Sequence, residues 1–218
     1  MNLSLRNQKV LITAGPTREY WDPVRFFTNA SSGAMGIALA NAARKRGAHV
    51  TLVLGPVPPS PISNGIRVQP VVSGWEMYEA VKKNLSRTDV FIGAAAVVDY
   101  RPARPLKSKI KRHTPTVILK LYGNPDIIAM VGHLQQGRPG TVVGFALETD
   151  HLLDNALDKL VRKRMDWIVA NRESNMGQSR GSATLLSRWG DRIPLKRMTK
   201  DRLADRIWNH ILKQDRIR

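Results

Sequence analysis

The loop after the first predicted strand, with the helix that follows it, carries side chains suited to an anionic substrate. This segment, Thr13–Gly36, reads TAGPTREYWDPVRFFTNASSGAMG. Guanidinium groups bind phosphate or carboxylate, and a side-chain amide offers a donor and an acceptor to an acyl group. Free N–H groups at the start of a helix favour binding of an anion. For Ser31 and Ser32 taken alone, however, ordinary capping of the helix is the favoured interpretation. The candidates here are Arg18, Arg25, Asn29, Ser31, Ser32 and Gly33.

A second candidate segment lies at the end of the most apolar predicted strand. It reads GAAAVVDY from Gly93 to Tyr100. The small residues Gly93, Ala94 and Ala95 would let a ligand approach the backbone closely. Asp99 follows the strand, where it could accept a hydrogen bond from a ribose or a base, or face a hydrated Mg²⁺. An Asp in this position is also an ordinary turn or cap residue.

A third segment is dense in positive charge. Arg101–Arg112 reads RPARPLKSKIKR, with six basic residues and no acid. Its prolines and lack of apolar periodicity predict a loop. Three interpretations stay open: a solvated loop, a flap whose cations such as Lys109 meet a triphosphate, and a contact with a nucleic-acid backbone.

Two further segments follow predicted strands. GNPDII runs from Gly123 to Ile128, with Pro125 expected at the first position of a helix. GFALET runs from Gly144 to Thr149, and two lysines lie four residues apart on the next helix. Such lysines share one face of a helix and are usually solvent-exposed. The candidates from these segments are Pro125, Asp126, Ile127, Ile128, Phe145, Lys159 and Lys163.

Strand-like and helical patterns alternate along the chain. The strands and helices that they predict must position the candidate residues. Short apolar runs predict strands, and apolar residues at helical spacing predict helices between them. In one predicted helix, Leu153, Ala156, Leu157, Leu160 and Val161 form a stripe. The predicted strands are 9–14, 49–54, 67–72, 90–98, 116–121, 141–145 and 167–170, and the bounded helices are 75–85, 125–134 and 152–164.

The C-terminal part departs from this alternation. Two runs, 183–189 and 192–195, flank Gly190-Asp191 and predict a β-hairpin, followed by a closing helix. The whole pattern predicts an α/β fold with a mostly parallel sheet, helices on both faces, and a C-terminal β-hairpin and helix. Ligands in such folds bind beyond the carboxyl ends of the strands, where the candidate segments lie.

Composition excludes several classes of protein. The chain has 218 residues, of which 42% are hydrophobic, so intrinsic disorder is not expected. It has no cysteine, which rules out a disulfide framework, a thiolate metal site and a cysteine nucleophile. The apolar run at 90–98 is too short to cross a bilayer, and the first residues do not resemble a secretory signal. We expect a soluble, cytoplasmic protein.

The net charge of +18 is spread evenly, because each third of the chain contributes +6. It therefore marks no basic tail or arm. A basic nucleic-acid-binding α/β protein is the alternative that this charge suggests, but the basic loop lacks interleaved aromatic residues. The chain also lacks the GxGxxG dinucleotide fingerprint and the Walker Gly-Lys-Ser/Thr, which argues against an NAD(P) oxidoreductase and a P-loop protein.

Taken together, the segments closely resemble phosphopantothenoylcysteine synthetase, also called phosphopantothenate–cysteine ligase, of the bacterial CTP-dependent type. The matching pieces occur in the family's order and cover nearly the whole chain, so we expect residues 1–218 to form a single ligase domain. They are ITAGPTRE, DPVRF, SSG followed by MG, AAAV, DYRP, KIK, NPDII, VGFALET and, at Asp166–Asn171, D.IVAN.

The resemblance implies a Rossmann-like fold, a homodimer and a two-step ligation. The carboxylate of 4′-phosphopantothenate would attack CTP, with Mg²⁺, to give an acyl-cytidylate and pyrophosphate. The amine of L-cysteine would then displace CMP and form 4′-phosphopantothenoylcysteine. The bifunctional bacterial chain also carries an N-terminal decarboxylase. We therefore expect this chain to be either a stand-alone synthetase, with a separate phosphopantothenoylcysteine decarboxylase as partner, or an excised domain.

Site roles also follow from the resemblance, position by position. Asn29 and Lys109 are the expected catalytic residues: the first holds the activated acyl group and the second is a flap lysine. From the residues themselves, we expect Arg25 and the Ser31–Gly33 turn to bind substrate and Asp99 to face the metal of a magnesium nucleotide. Our own hypothesis is that the helix start at Ser31–Gly36 seats a substrate phosphate or the anions of the nucleotide. The expected nucleotide site comprises Gly93, Ala94, Ala95, Asp99, Lys109, Pro125, Asp126, Ile127, Ile128, Phe145, Lys159 and Lys163.

The chain departs from the family pattern at two positions. Ala34 stands where the family usually has Lys, which removes a cation near the expected anion site. Val98 stands where the family usually has Ala, which adds bulk beside the nucleotide.

Overall fold

The computed structural model describes residues 4–111, 116–172, 175 and 177–214. Arg112, the last residue of the basic segment, lies outside these described residues. The strands are β1 (Lys9–Ala14), β2 (Arg18–Tyr20), β3 (Phe26–Thr28), β4 (His49–Leu54), β5 (Arg67–Pro70), β6 (Val90–Gly93), β7 (Tyr100–Pro102), β8 (Leu121–Gly123), β9 (Thr141–Glu148), β10 (Trp167–Arg172), β11 (Arg180–Ser187) and β12 (Arg192–Thr199). The helices are α1 (Ala34–Lys45), α2 (Gly74–Asn84), α3 (Ile127–Gly132), α4 (Leu152–Arg162) and α5 (Lys200–Gln214).

Eight strands form one sheet in the order β12-β11-β10-β9-β6-β1-β4-β5. The six strands from β10 to β5 are parallel, and β11 and β12 add an antiparallel hairpin at one edge. The chain builds outward from β1 to one side through β4 and β5, then crosses back to β6 on the other side. This switch point lies between β1 and β6, and in such sheets it opens a crevice at the carboxyl ends of the strands.

Helices cover both faces of the sheet, as the sequence predicts. One core cluster is formed with α1 and α5, and it contains buried side chains such as Leu39 and Trp208. The other is formed with α2, α3 and α4, and it contains Met77, Val131 and Leu160. The α/β class, the mostly parallel sheet and the C-terminal hairpin and helix are therefore confirmed. No helix within the described residues is long and apolar enough to cross a membrane.

Several strand bounds differ from the predictions. The strand predicted over 90–98 ends at Gly93, and beyond it the pairing with the segment after β1 is reduced to a parallel bridge between Pro16 and Ala96. The strand predicted over 116–121 begins at Leu121 and pairs with β7 in a separate two-stranded sheet. The strand predicted to end at 145 continues to Glu148, because β10 pairs with it that far.

The apolar stripe of α4 is only partly used for packing. Ala156 and Leu160 are buried, whereas Leu157 is 44% exposed and Val161 is 75% exposed. The helix packs on β9 and β10, and this contact covers one side of the stripe.

Candidate functional site

A cavity of about 180 Å³ opens at the carboxyl end of the sheet, between the starts of α1 and α5. Predicted site residues from three parts of the chain line it. These are Ser31, Ser32 and Gly33 before α1, Ala94 and Ala95 after β6, and Phe145 within β9. The cavity is thus close to the switch point where a doubly wound sheet binds ligands.

Hydrogen bonds join the two loops that border the switch point. The N–H of Ala96 donates to the carbonyl of Gly15 at 2.9 Å. The N–H of Val98 donates to the hydroxyl of Thr17 at 3.0 Å. These bonds replace the strand pairing that the sheet loses beyond Gly93, so the backbone at Ala94–Val98 is fixed although it is not a strand.

Asn29 ties this backbone to the segment that precedes α1. Its amide Nδ2 donates to the carbonyls of Ala96 at 3.2 Å and Val97 at 3.1 Å. Both side-chain donors are therefore used, while Oδ1 has no hydrogen-bond partner among the described residues. Asn29 is placed to set the loop after β6 and to accept a hydrogen bond from a ligand group.

The start of α1 differs from the serine cap that the sequence favoured. Gly33 is the N-cap, with φ of +72°, and no side chain caps the helix. Positive φ is accessible to Gly at little cost, which explains this residue between the serines and the helix. Ser31 accepts a hydrogen bond from the N–H of Gly33 at 3.3 Å instead. The first turn of α1 is left open to the cavity, which Ala34 and Met35 also line.

Arg25 holds the base of the flap. Its Nη2 donates to the carbonyl of Ile110 at 3.0 Å, and its guanidinium lies over the Trp21 ring at 5.1 Å. Asp22 completes the arrangement, because its Oδ2 lies 3.6 Å from Nη1 of Arg25 and accepts from the N–H of Ile110 at 3.4 Å. Arg25 was predicted to bind substrate; in this structure it binds the residue next to Lys109.

Asp22 is held in its charged form. Burial raises the pKa of its carboxyl, but hydrogen bonds from the N–H groups of Val24, Arg25 and Ile110 and the Arg25 charge hold the pKa below its ordinary value of 3.8. Lys109, by contrast, is exposed and makes no hydrogen bond or ion pair with any described residue. The flap lysine is therefore free at its tip while the backbone beside it is anchored.

The Asp22→Asn variant is expected to lower turnover about tenfold, because loss of the carboxylate charge weakens the anchor and lets Lys109 shift. Steady-state kinetics would measure this, together with proteolysis at the flap, which is expected to become faster. Asp205→Asn is the matched control, because it removes an Asp–Arg pair with Arg46, at 2.7 Å, away from the cavity. Equal turnover in both variants would show that Asp22 does not position the flap.

The predicted residues at α3 and α4 form a second group outside the cavity. Asp126 caps α3 by accepting from the N–H of Ala129 at 3.0 Å, so Pro125 precedes the cap and is not the first helical residue as predicted. Lys163 pairs with Asp126 at 2.8 Å, and Lys159 pairs with Glu148. Neither lysine is simply solvated, contrary to the usual behaviour of paired helix lysines.

Ile128 connects this group to the end of β6. A Cβ placed on Gly93 would lie 2.7 Å from Cγ1 of Ile128, closer than side chains normally approach. Gly93 is therefore required for α3 to cover the end of the strand. Ile127, beside it, is buried in the core. The two predicted segments at Gly93 and at Pro125–Ile128 are thus in direct contact.

Acid is expected to weaken the Asp126–Lys163 pair. Burial raises the pKa of Asp126, but the Lys163 and Arg162 charges and the Ala129 N–H bring it below its ordinary value of 3.8. The charged form is thus stabilised in the folded state, and this stabilisation is lost as the pH falls through the folded pKa. The pair is partly exposed, so we expect it to contribute less than about 1 kcal/mol to the free energy of unfolding.

Urea unfolding of the wild type and Asp126→Asn would measure that effect. The difference in free energy of unfolding should be constant above about pH 5 and shrink in acid. A difference that stays constant through acid would contradict the assignment. Asn is also a good helix cap, so this substitution isolates the charge.

Asp99 lies at the edge of the α3–α4 group, with an exposed carboxylate. Its backbone carbonyl accepts from the N–H of Asn124 at 2.7 Å, but its side chain has no partner among the described residues. Asn124 in turn donates to Oε1 of the buried Glu19 at 3.0 Å and to the carbonyl of Val98 at 2.7 Å. Asp99 is fixed through its backbone and available for a ligand.

A magnesium ion fits this donor set only as part of a nucleotide complex. No group of three metal-binding side chains occurs among the described residues. Mg²⁺ characteristically binds through one or two carboxylates, several waters and substrate phosphates. The single free carboxylate of Asp99 satisfies that pattern.

Several residues near the site were not predicted from sequence. Asn171, Asn175, Gln178 and Lys200 line the cavity, and Asp22 and Glu19 hold the loops around it. Glu19 and Asp22 are the two acidic residues of the Thr13–Gly36 segment. Because acids are scarce there, the sequence could have indicated that these two have a specific role. Nothing in the pattern of the C-terminal hairpin pointed to Lys200.

Comparison with known proteins gives consistent results. The chain is 47% identical over 218 residues to the coenzyme A biosynthesis bifunctional protein CoaBC of Vibrio cholerae serotype O1, an alignment that covers 96% of this chain and 53% of that protein. It is 43% identical over 201 residues to the protein of the same name from Escherichia coli K12, covering 88% and 49%. The chain thus spans about half the length of these curated relatives.

Solved structures agree with the sequence matches. The crystal structure of the C-terminal domain of CoaBC superposes with a TM-score of 0.84 and 34% identity, covering 100% of both chains. The family described as DNA/pantothenate metabolism flavoprotein C-terminal domain matches residues 5–214. By these matches in sequence and in structure, the chain belongs to the family of DNA/pantothenate metabolism flavoprotein C-terminal domains.

Proposed function

We propose that the chain is a phosphopantothenate–cysteine ligase that uses CTP. The observation that carries this proposal is the similarity, over the whole chain, to the C-terminal domain of a coenzyme A biosynthesis protein. The placement of Asn29, Ala94, Ala95 and Phe145 around the switch point supports it. The proposal takes residues 1–218 as one ligase domain, in place of the nucleic-acid-binding alternative.

The first step would activate a carboxylate, which is a poor electrophile. A carboxylate oxygen of 4′-phosphopantothenate attacks the α-phosphorus of CTP and forms an O–P bond. The bond from that phosphorus to the bridging oxygen breaks, and pyrophosphate leaves with the electron pair. Negative charge accumulates during this step, so cations aimed at the phosphates accelerate it. Lys109 on the anchored flap is the residue suited to this task.

The second step would form the amide. The amine of L-cysteine attacks the acyl carbon, the C–O bond to the phosphate breaks, and CMP leaves while the nitrogen loses a proton. The acyl group must be held in a fixed orientation for this attack. Asn29 is suited to this task through the loop, because its Nδ2 fixes the backbone at Ala96 and Val97 that borders the acyl group. Its Oδ1 would accept a hydrogen bond from the attacking amine.

The residues around α3 and α4 would bind the nucleotide. Two ion pairs lie on this side of the sheet, Asp126 with Lys163 and Glu148 with Lys159. Gly93 leaves space for Ile128 at the end of β6. Mg²⁺ held by Asp99 and the triphosphate would neutralise phosphate charge.

A homodimer is part of the proposal, and it is supported by exposed aromatic side chains on α2 and on the β7–β8 ribbon, namely Trp75, Tyr100 and Tyr122. Their exposed fractions are 49%, 59% and 50%. Exposed aromatic groups of this size are typical of protein interfaces. A cytoplasmic location and a phosphopantothenoylcysteine decarboxylase as partner complete the proposal.

One assay tests the function. The chain is incubated with 4′-phosphopantothenate, L-cysteine, Mg²⁺ and either CTP or ATP, and the nucleotide products are separated. We expect CMP and pyrophosphate that depend on both other substrates. Formation of AMP in place of CMP would overturn the choice of CTP, and no turnover with either nucleotide would overturn the ligase.

A further inference from the structure

Lys200, the first residue of α5, is a charged residue in the wall of the cavity. It lines the cavity together with Asn171, Asn175 and Ser182. Its Nζ donates to the backbone carbonyl of Asn175 at 3.4 Å, and the side chain is partly buried. No residue of the CTP-binding or flap sets described above lies in this part of the chain.

The backbone around Lys200 is shaped to receive its ammonium group. A Cβ placed on Gly181 would lie 3.0 Å from Nζ, so the absence of a side chain there leaves room for it. The register of β11 against β12 shifts between Gly181 and Ala183, which is a β-bulge. Asn175 fixes this bulge by donating to the carbonyl of Ser182 at 2.7 Å. The position of Lys200 is therefore set by three neighbouring segments.

Lys200 is the only charged side chain among the described residues that line the cavity. It forms no ion pair with any described residue. Burial lowers the pKa of its ammonium below the ordinary value of 10.5. A partly buried cation whose protein partner is one carbonyl is less well stabilised than in water, and an anionic ligand would supply the missing interaction.

We propose that Lys200 binds a phosphate group of a substrate in this cavity. The inference rests on the proposed ligase function, in which two substrates carry phosphate: the nucleotide and 4′-phosphopantothenate. The amides of Asn171, Asn175 and Gln178 and the hydroxyls of Ser31 and Ser32 line the same cavity and provide neutral donors. Lys200 supplies the charge that these groups lack.

Binding measurements without turnover test the proposal. Calorimetric titrations of the full chain would use inorganic pyrophosphate, CTP, 4′-phosphopantothenate and pantothenate as separate ligands. Lys200→Met keeps most of the side-chain volume and removes the charge. Lys196→Met is the control, because Lys196 is an exposed residue of β12 on the same hairpin. We expect Lys200→Met to lower the binding affinity for at least one phosphate-containing ligand about tenfold or more. Lys196→Met should leave all four affinities unchanged.

The pattern of losses identifies the phosphate. Weaker binding of pyrophosphate and CTP places the triphosphate at Lys200. Weaker binding of 4′-phosphopantothenate with unchanged binding of pantothenate places the phosphate of the acid there. Unchanged affinities for all four ligands in a folded Lys200→Met protein would overturn the proposal.

Gly181→Ala gives an independent check, because its methyl group would displace Nζ while retaining the charge. It should lower the affinity for the same ligand as Lys200→Met does. An affinity equal to that of the wild type would contradict the idea that the position of the ammonium group matters. The result is separable from the proposed function. If the wild-type chain forms no CMP but these phosphate affinities still depend on Lys200, the ligase proposal fails and the phosphate site stands.

Discussion

Lys109→Gln is expected to reduce the rate of ligation on the order of 10²-fold or more, because it removes a cation that meets negative charge in the activation step. Lys109 is exposed and makes no hydrogen bond or ion pair with another described residue, so the substitution should leave the melting temperature unchanged. The expected loss is therefore one of chemistry and not of folding. Steady-state rates of pyrophosphate release would measure it directly.

Lys107→Gln is the matched control for this prediction. It removes the same charge two residues earlier on the flap, in an exposed position, and ahead of the anchored Ile110. We expect its turnover to stay close to that of the wild type. If both variants lose activity equally, the flap acts through its overall charge, and turnover of Lys109→Gln near that of the wild type would refute its role.

Asn29→Asp is expected to block the use of the acyl-cytidylate, with a loss of about 10²-fold in the cysteine-dependent step. The substitution replaces two N–H donors, which now reach the carbonyls of Ala96 and Val97, by a carboxylate that repels them. It also places an anion beside the phosphate of the intermediate. In single-turnover experiments, we expect pyrophosphate to form and the acyl-cytidylate to accumulate when cysteine is added.

Asn41→Asp controls for the structural cost of such a change. Nδ2 of Asn41 likewise donates to a backbone carbonyl, that of Pro61 at 3.1 Å, and Asn41 does not line the cavity. Turnover of this variant should resemble that of the wild type. An Asn29→Asp protein that consumes the acyl-cytidylate at the wild-type rate would remove Asn29 from the mechanism.

The sheet could largely be predicted from sequence, because its strands are apolar runs bounded by strong turn signals. The strands at Lys9–Ala14 and His49–Leu54 have the predicted bounds, and each ends at a Gly-Pro pair. The strands β2, β3, β7 and β8 were not predicted as such. Each has three residues, which is too short for periodicity to show.

The candidate site could be predicted only in part. There is a physical reason why some of its residues could be recognised from sequence and others could not. Small residues near strand ends, such as Ala94 and Ala95, mark a place where a ligand can approach the backbone. The pairing of a charged residue depends on distant partners: Asp22 meets Ile110, and Lys200 meets Asn175. A local sequence pattern does not contain those partners. Arg25 stays a predicted substrate-binding residue, and its contact with the carbonyl of Ile110 is one that the local pattern could not show.

The pairing of α1 with α5 has a consequence for how the chain folds during synthesis. Nε1 of Trp208 in α5 donates to the carbonyl of Leu39 in α1 at 3.0 Å, and Arg46 pairs with Asp205 at 2.7 Å. The buried face of α1 is therefore covered only by residues that are synthesised more than 150 positions later. Such long-range contacts slow folding and prolong exposure of apolar surface. The cavity between the two helices can form only after α5 has been synthesised, so nascent chains that lack α5 should need chaperones and bind no substrate.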